Sequence, residues 1–214
     1  MPSCRVLIID DSAVSRRALS DILSTDPDID VVGTAPDAMI GLRKIEALSP
    51  DVLTLDVEMP GMDGLTFLER LMKSNPMPVV MVSAYTEAGS DAAIRSLELG
   101  AVDVVEKPRY EVRVGLSNLS ELIIDKVKGA ALAQVASPSA RFFEHNSGES
   151  GVISVTQESL GHAPLEQLVA IGASTGGPQA IRQVLEVLPA SMPPVLVVQH
   201  ITPSFTESFA KSLD

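Results

Sequence analysis

Asp10 and Asp11 stand together after the short apolar run Leu7-Ile8-Ile9, and Asp56 closes a second apolar run at 52–55. Ser83 follows a third run at 79–82, and Lys107-Pro108 follows a fourth at 102–105. Carboxylates that converge within a few ångströms repel one another unless a cation joins them. A hard divalent ion with oxygen ligands answers that repulsion. Mg²⁺ is the expected one, because it uses a few carboxylates, a backbone carbonyl and waters, and keeps positions for phosphate oxygens. Asp56 can then act as a carboxylate nucleophile toward phosphorus, with the Lys107 ammonium offsetting charge on the transferring group and the Ser83 hydroxyl bonding one of its oxygens. Taken singly, a strand-end aspartate reads as a helix cap or turn residue and a Lys-Pro pair as surface. The constellation sets the plainer reading aside, since successive strand ends carry complementary groups in chemical order.

A second candidate lies in Gly172-Ala173-Ser174-Thr175-Gly176-Gly177-Pro178, between an apolar run at 168–172 and a helical pattern at 177–188. Its first five residues fit the G-x-S-x-G elbow, in which a sharp turn exposes a serine hydroxyl. Ser174 is thus a candidate nucleophile, although a Gly-rich helix start can also bind an anion or serve only as a tight packing turn. The dinucleotide fingerprint does not fit, because the glycine spacing is wrong and the next strand, 195–199, leads into His200 instead of an acid. His200 at that strand end is either a general base within reach of Ser174 or a satisfied structural histidine. His145 and His162 have no comparable context.

The elements that must position these groups alternate. Short β-branched runs at 6–9, 30–33, 52–55, 79–82 and 102–105 are interleaved with amphipathic stretches at 15–24, 38–48, 65–73, 92–99 and 119–128. That pattern predicts α/β architecture, a (βα)5 doubly wound domain around a parallel sheet. Ligands of such sheets bind beyond the carboxyl ends of the strands, where the aspartates, Ser83 and Lys107 all fall. Residues 1–133 are read as this domain. Residues 134–166 carry Ser137-Pro138-Ser139 and Asn146-Ser147-Gly148 and are read as a linker. Residues 167–214 supply only two strands and two helices, too little core for an independent α/β unit, and are expected to be the incomplete first βαβα part of a second domain.

The bulk composition narrows the classes. A hydrophobic fraction of 45% with 21% charged residues is globular. Sixteen basic against 28 acidic residues leave a net charge of -12, which argues against a nucleic-acid partner. Cys4 is the only cysteine, so a disulfide framework and thiolate metal sites are excluded within the chain. No signal-type segment or bilayer-length apolar run occurs, and a cytoplasmic protein without direct membrane insertion is expected.

The motifs Leu7-Ile8-Ile9-Asp10-Asp11, Asp56-Val57-Glu58-Met59-Pro60-Gly61-Met62-Asp63-Gly64, Ser83-Ala84 and Lys107-Pro108 resemble response-regulator receiver domains over about the first 125 residues. The resemblance implies Mg²⁺ held by Asp11, Asp56 and the backbone carbonyl of Glu58 with Asp10 in support, and phosphoryl transfer to Asp56 from a histidine kinase. One position departs from the commonest pattern. Three residues before the lysine, where many receivers place an aromatic switch residue, stands Val104. With the linker, the Ser174 loop and Val197-Val198-Gln199-His200-Ile201, the whole resembles the chemotaxis protein-glutamate methylesterases, the CheB family. That resemblance implies a Ser-His-Asp triad that hydrolyses glutamate methyl esters on methyl-accepting chemoreceptors and in many members deamidates glutamines. Ser174 would be the nucleophile and His200 the base, needing no cofactor. The triad aspartate of the family lies further along than this chain reaches, so the 214 residues alone are expected to be inactive as an esterase. The rival expectation is a non-enzymatic receiver that acts as a phosphate sink.

Overall fold

The computed structural model describes residues 4–84, 87–108, 116–135 and 168–213. Most of the expected linker, with His145 and His162, lies outside the described residues. The first unit comprises β1 (Cys4–Ile9), α1 (Ala13–Leu23), β2 (Ile29–Ala35), α2 (Ala38–Leu48), β3 (Val52–Asp56), α3 (Gly64–Ser74), β4 (Val79–Ser83), α4 (Glu87–Glu98), β5 (Asp103–Glu106) and α5 (Leu116–Ala131). Its five strands pair in parallel in the order β2-β1-β3-β4-β5. The doubly wound fold expected from the alternation is therefore the one observed.

Side chains of a strand point alternately to its two faces, and the central strands are apolar on both. Leu7, Ile9, Leu53, Leu55, Val79 and Met81 pack on one side with Phe67, Leu71 and Ile94. Val6, Ile8, Val52, Val80 and Val82 pack on the other with Leu19, Leu23, Ile123 and Val127. Each such fully buried aliphatic side chain contributes roughly 1.5–3 kcal/mol. Coverage by helices on both faces is what lets β3 and β4 be buried throughout.

Helix starts fall before the apolar periodicity by two residues at α1, one at α3, five at α4 and three at α5, while α2 starts where expected; side-chain caps set the starts of α1, α2 and α3. Ser12 accepts from the Ser15 amide, so α1 begins at Ala13 where apolar spacing suggested 15. Asp37 and Asp63 likewise accept from the amides of Ile40 and Thr66 at 2.7 and 2.8 Å. Each cap contributes about 1 kcal/mol. Strand β5 begins one residue later than its apolar run and takes in the buried Asp103.

The remaining described elements are β6 (Val169–Ala173), α6 (Gly177–Glu186), β7 (Val195–Gln199) and α7 (Pro203–Leu213). Strands β6 and β7 form a separate parallel pair in register from Val169↔Val195 to Ala173↔Gln199. Both alternate exposed and half-buried residues, and Leu168, Leu196 and Val198 are more than half exposed. The apolar sides of α6 and α7 are not bare, however. Ile181, Phe205 and Phe209 are buried and join the receiver core on the α4 side. Gln179 donates from Nε2 to the carbonyls of Leu97 and Ala101 at 2.9 and 2.7 Å, and Arg182 pairs with Glu98 at 3.2 Å. No described helix is long and apolar enough to cross a membrane.

Candidate functional site

The carboxyl edge of the five-stranded sheet gathers the predicted residues. Oxygens of Asp10, Asp11 and Asp56 lie within 4.8 Å of one another. Both oxygens of the buried Asp10 are already engaged, Oδ1 by the Ser12 amide at 2.8 Å and Oδ2 by the Ser15 hydroxyl at 2.6 Å. Asp11 faces solvent. That division suits Asp11 as a direct cation ligand and Asp10 as its support. Three carboxylates at one edge are the hard oxygen set that a divalent cation fits.

Asp56 is 1% exposed at the end of β3. Its Oδ1 accepts from the Glu58 amide at 3.1 Å, and its Oδ2 accepts from Lys107 Nζ at 2.7 Å. Burial, with the Asp10 charge beside it, pushes the Asp56 carboxyl up to about 6, although Lys107 pulls the other way. Burial pulls the Lys107 ammonium down, but its bonds to Asp56 and to Asp10, 3.3 Å away, outweigh that and hold it above its ordinary value. Ser83 is buried at the end of β4, where its carbonyl accepts from the Lys107 amide at 2.8 Å. An open cleft lined by Asp11, Val57, Glu58, Met59, Asp63 and Lys107 leads to the group.

The loop from Val57 to Asp63 must pass very close to the strand it leaves. The Gly64 amide donates to the Val57 carbonyl at 2.9 Å, and a Cβ at Gly64 would meet the Asp56 carbonyl oxygen at 1.9 Å. Only glycine fits there. Arg16, which the sequence reading passed over, donates from Nη1 to the carbonyls of Asp10 and Asp11 at 2.7 and 2.9 Å and so fixes the acidic turn. Val104, at the aromatic switch position, is buried in β5 and paired in register with Met81.

In the second segment Ser174 follows β6 and His200 follows β7, and the register of the two strands brings them together. Ser174 Oγ lies 3.4 Å from His200 Nδ1. That is beyond the 2.6–3.2 Å reach of a tight nucleophile–base bond, as is common before substrate binds. Both residues are exposed. The turn has its positive φ at Gly176, +75°, and not at the serine. Gln199 bridges the strand ends by donating to the Ser174 carbonyl at 2.8 Å. Among the described residues no carboxylate is hydrogen-bonded to the His200 imidazole.

One buried ion pair was invisible to spacing. Lys126 Nζ and Asp103 Oδ2 are 2.8 Å apart, with side chains 1% and 0% exposed. Lys126 also donates to the His200 carbonyl at 2.6 Å. Burial pushes the Asp103 carboxyl up, against the pull of Lys126.

Comparison with known proteins finds relatives of both segments. Residues 6–114 match the response regulator receiver domain family, and residues 169–214 match CheB methylesterase. A protein-glutamate methylesterase/protein-glutamine glutaminase of Bordetella parapertussis is 47% identical over 214 residues, covering 100% of this chain and 59% of that protein. A counterpart in Xanthomonas campestris pv. campestris is 48% identical over 210 residues, 98% of this chain and 59% of that protein. The chain thus spans about 59% of the length of these relatives. The crystal structure of the response regulator domain of Thermotoga maritima CheB superposes with a TM-score of 0.55 at 38% identity, covering 62% of this chain and 98% of that one. With a receiver match over half its length, an acidic strand-end site answered by a lysine, and near-half identity to methylesterases throughout, the chain belongs to the response regulator receiver family, its receiver continued by a CheB methylesterase segment.

Proposed function

We propose that this chain is the phosphorylation-controlled part of a chemotaxis response regulator, in which Asp56 accepts a phosphoryl group from a chemotaxis histidine kinase. The observation that carries this is the Asp56 carboxylate, buried at the end of β3, paired with Lys107 at 2.7 Å and flanked by Asp10 and Asp11. An Asp56 oxygen forms the new bond to phosphorus while the phosphorus–nitrogen bond of the donor phosphohistidine breaks and its imidazole leaves. The Lys107 ammonium follows the charge onto the phosphoryl oxygens, and the Ser83 hydroxyl bonds one of them. Asp11, Asp56 and the Glu58 carbonyl would hold Mg²⁺, which when bound offsets charge on the phosphoryl group. The functional units are residues 1–133 as receiver, 134–166 as linker and 167–214 as hydrolase segment, and the work is done in the cytoplasm.

In the longer protein, Ser174 attacks the ester carbonyl of a methylated glutamate on a chemoreceptor, and His200 takes its proton and returns it to the methanol that leaves. Water then cleaves the acyl–Ser174 ester to release glutamate and restore the hydroxyl; glutamine deamidation follows the same course with ammonia leaving. The 3.4 Å approach of Ser174 to His200 supports this pairing. An imidazole with no acid to orient it loses rate by ~10⁴ in the serine-protease template. The 214 residues by themselves should therefore turn over methyl-glutamate at most feebly. Labelling with acetyl phosphate and Mg²⁺ tests the receiver reading: the label should map to Asp56 and vanish in Asp56→Asn, and undiminished labelling of that variant would overturn it.

A further inference from the structure

The three carboxylates at the receiver edge are not held alike. Both oxygens of Asp10 and both of Asp56 accept hydrogen bonds from named donors. The Asp11 carboxylate faces solvent, and among the described residues no donor bonds it. Its direction is therefore set by the main chain around it. Each peptide is planar, so only the φ and ψ of Asp11 separate the Asp10 carbonyl from the Asp11 carbonyl. Arg16 Nη1 donates to both, at 2.7 and 2.9 Å. One nitrogen bonded to the two oxygens fixes those rotations together, and with them the line from Cα to Cβ along which the carboxylate is aimed. The peptide that joins Asp11 to Ser12 is held at its opposite edge too, where the Ser12 amide donates to Asp10 Oδ1 at 2.8 Å. Held at both edges the plane cannot turn, whereas a single bond would act as a hinge. Arg16 is itself anchored near the start of α1, half-buried, with its amide donating to the Ser12 carbonyl at 3.0 Å.

We propose that Arg16 is a positioning residue for the receiver's divalent cation, acting through the Asp10 and Asp11 carbonyls so that the Asp11 carboxylate is already aimed when the ion arrives. This rests on the reading of Asp11 as a direct Mg²⁺ ligand. The guanidinium bonds main-chain oxygens and not the carboxylates. A ligand fixed beforehand gives up less freedom on binding, and that raises affinity without adding a contact. Charge acts the other way. A cationic side chain on the turn that carries the ligands repels a second cation, so by Coulomb's law alone removing Arg16 would tighten Mg²⁺ binding.

Position and charge thus predict opposite signs for one substitution. In the full 214-residue chain, the Mg²⁺ dissociation constant is read from backbone amide shifts during a MgCl₂ titration. Arg16→Met should weaken binding by about tenfold, the scale of one lost hydrogen bond to a charged group. Arg17→Met removes an equal charge from the next position, where the guanidinium pairs with Asp21 at 3.0 Å, and should leave the constant within about twofold of the parent. Urea unfolding in EDTA reports whether each variant is folded. Unchanged or tighter binding in a folded Arg16→Met overturns the proposal, even if its stability falls, since an arginine that only braces the fold would give that result. Labelling of Asp56 by acetyl phosphate should drop by about tenfold in Arg16→Met at limiting Mg²⁺ and return to within about twofold of the parent at saturating Mg²⁺. Labelling that excess Mg²⁺ does not restore would put Arg16 in the transfer step and overturn the proposal. If Arg16→Met does not fold, Arg16→Lys serves in its place: the charge stays, but the shorter side chain does not reach both carbonyls, and binding should weaken by about threefold. Parental affinity in that variant overturns the proposal. Should the parent itself show no Mg²⁺-dependent shifts, the reading of Asp11 as a ligand falls and the proposal with it, whereas a parent that responds alongside an unweakened Arg16→Met removes the proposal alone.

Discussion

Replacing Asp56 by Asn should stabilise the metal-free receiver at neutral pH, and the gain should depend on pH in a stated direction. The carboxyl is raised from its ordinary 3.8 to about 6, mainly by burial. A raised carboxyl binds its proton more tightly folded than unfolded, so folding stability falls as pH climbs from about 4 to about 6 and stays low above that. A shift of about two pH units corresponds to about 3 kcal/mol at pH 7. Asn carries no charge, is of the same size and still accepts from Lys107, which keeps Asp10 at 3.3 Å. Loss of the ionic component of the 2.7 Å Lys107 bond offsets part of the gain, leaving a net of roughly 1–3 kcal/mol. Urea unfolding in EDTA at pH 4 and pH 7 measures it. The two proteins should differ little at pH 4 and separate at pH 7, with the variant more stable. A parent whose stability is flat or rising between those pH values, or a variant no more stable at pH 7, would refute the placement of Asp56 as a buried, repelled carboxylate.

Millimolar Mg²⁺ should raise the melting temperature of the parent, and Asp11→Ala should remove most of that rise while changing the metal-free melting temperature little, since Asp11 is exposed; an undiminished Mg²⁺ effect in the variant would show that Asp11 is not a ligand. Gly64→Ala should destabilise by about 3 kcal/mol or more and depress Asp56 labelling, because its methyl group meets the Asp56 carbonyl at 1.9 Å. Chemical denaturation checks the first effect and acetyl-phosphate labelling the second.

The acidic site was legible because its groups sit next to strand ends, and strand ends in a parallel sheet share an edge whatever the details of packing. Asp10, Asp56, Ser83 and Lys107 needed only the positions of four apolar runs to be placed together. Ser174 and His200 were legible for the same reason, through β6 and β7. Exact helix starts were not; at α1 and α3 they are decided by the caps Ser12 and Asp63, which apolar periodicity does not carry. Arg16 could have been suspected, lying one turn into the helix that follows the aspartates. Lys126 could not. On an amphipathic stretch a lysine reads as the solvated side, and what covers it is a segment 74 residues further along the chain, meeting it at the His200 carbonyl. Asp103 was hidden likewise, a polar residue inside what read as one more apolar run.

Strand β5 carries Asp103 at its start, and Lys107 follows its end. At about 3.3 Å per residue the two lie roughly 13 Å apart on one stiff rod. Any movement of β5 therefore shifts both the lysine that pairs with Asp56 and the aspartate that pairs with Lys126. Grafting residues 103–107 from one receiver to another would move the β5 member of both ion pairs at once.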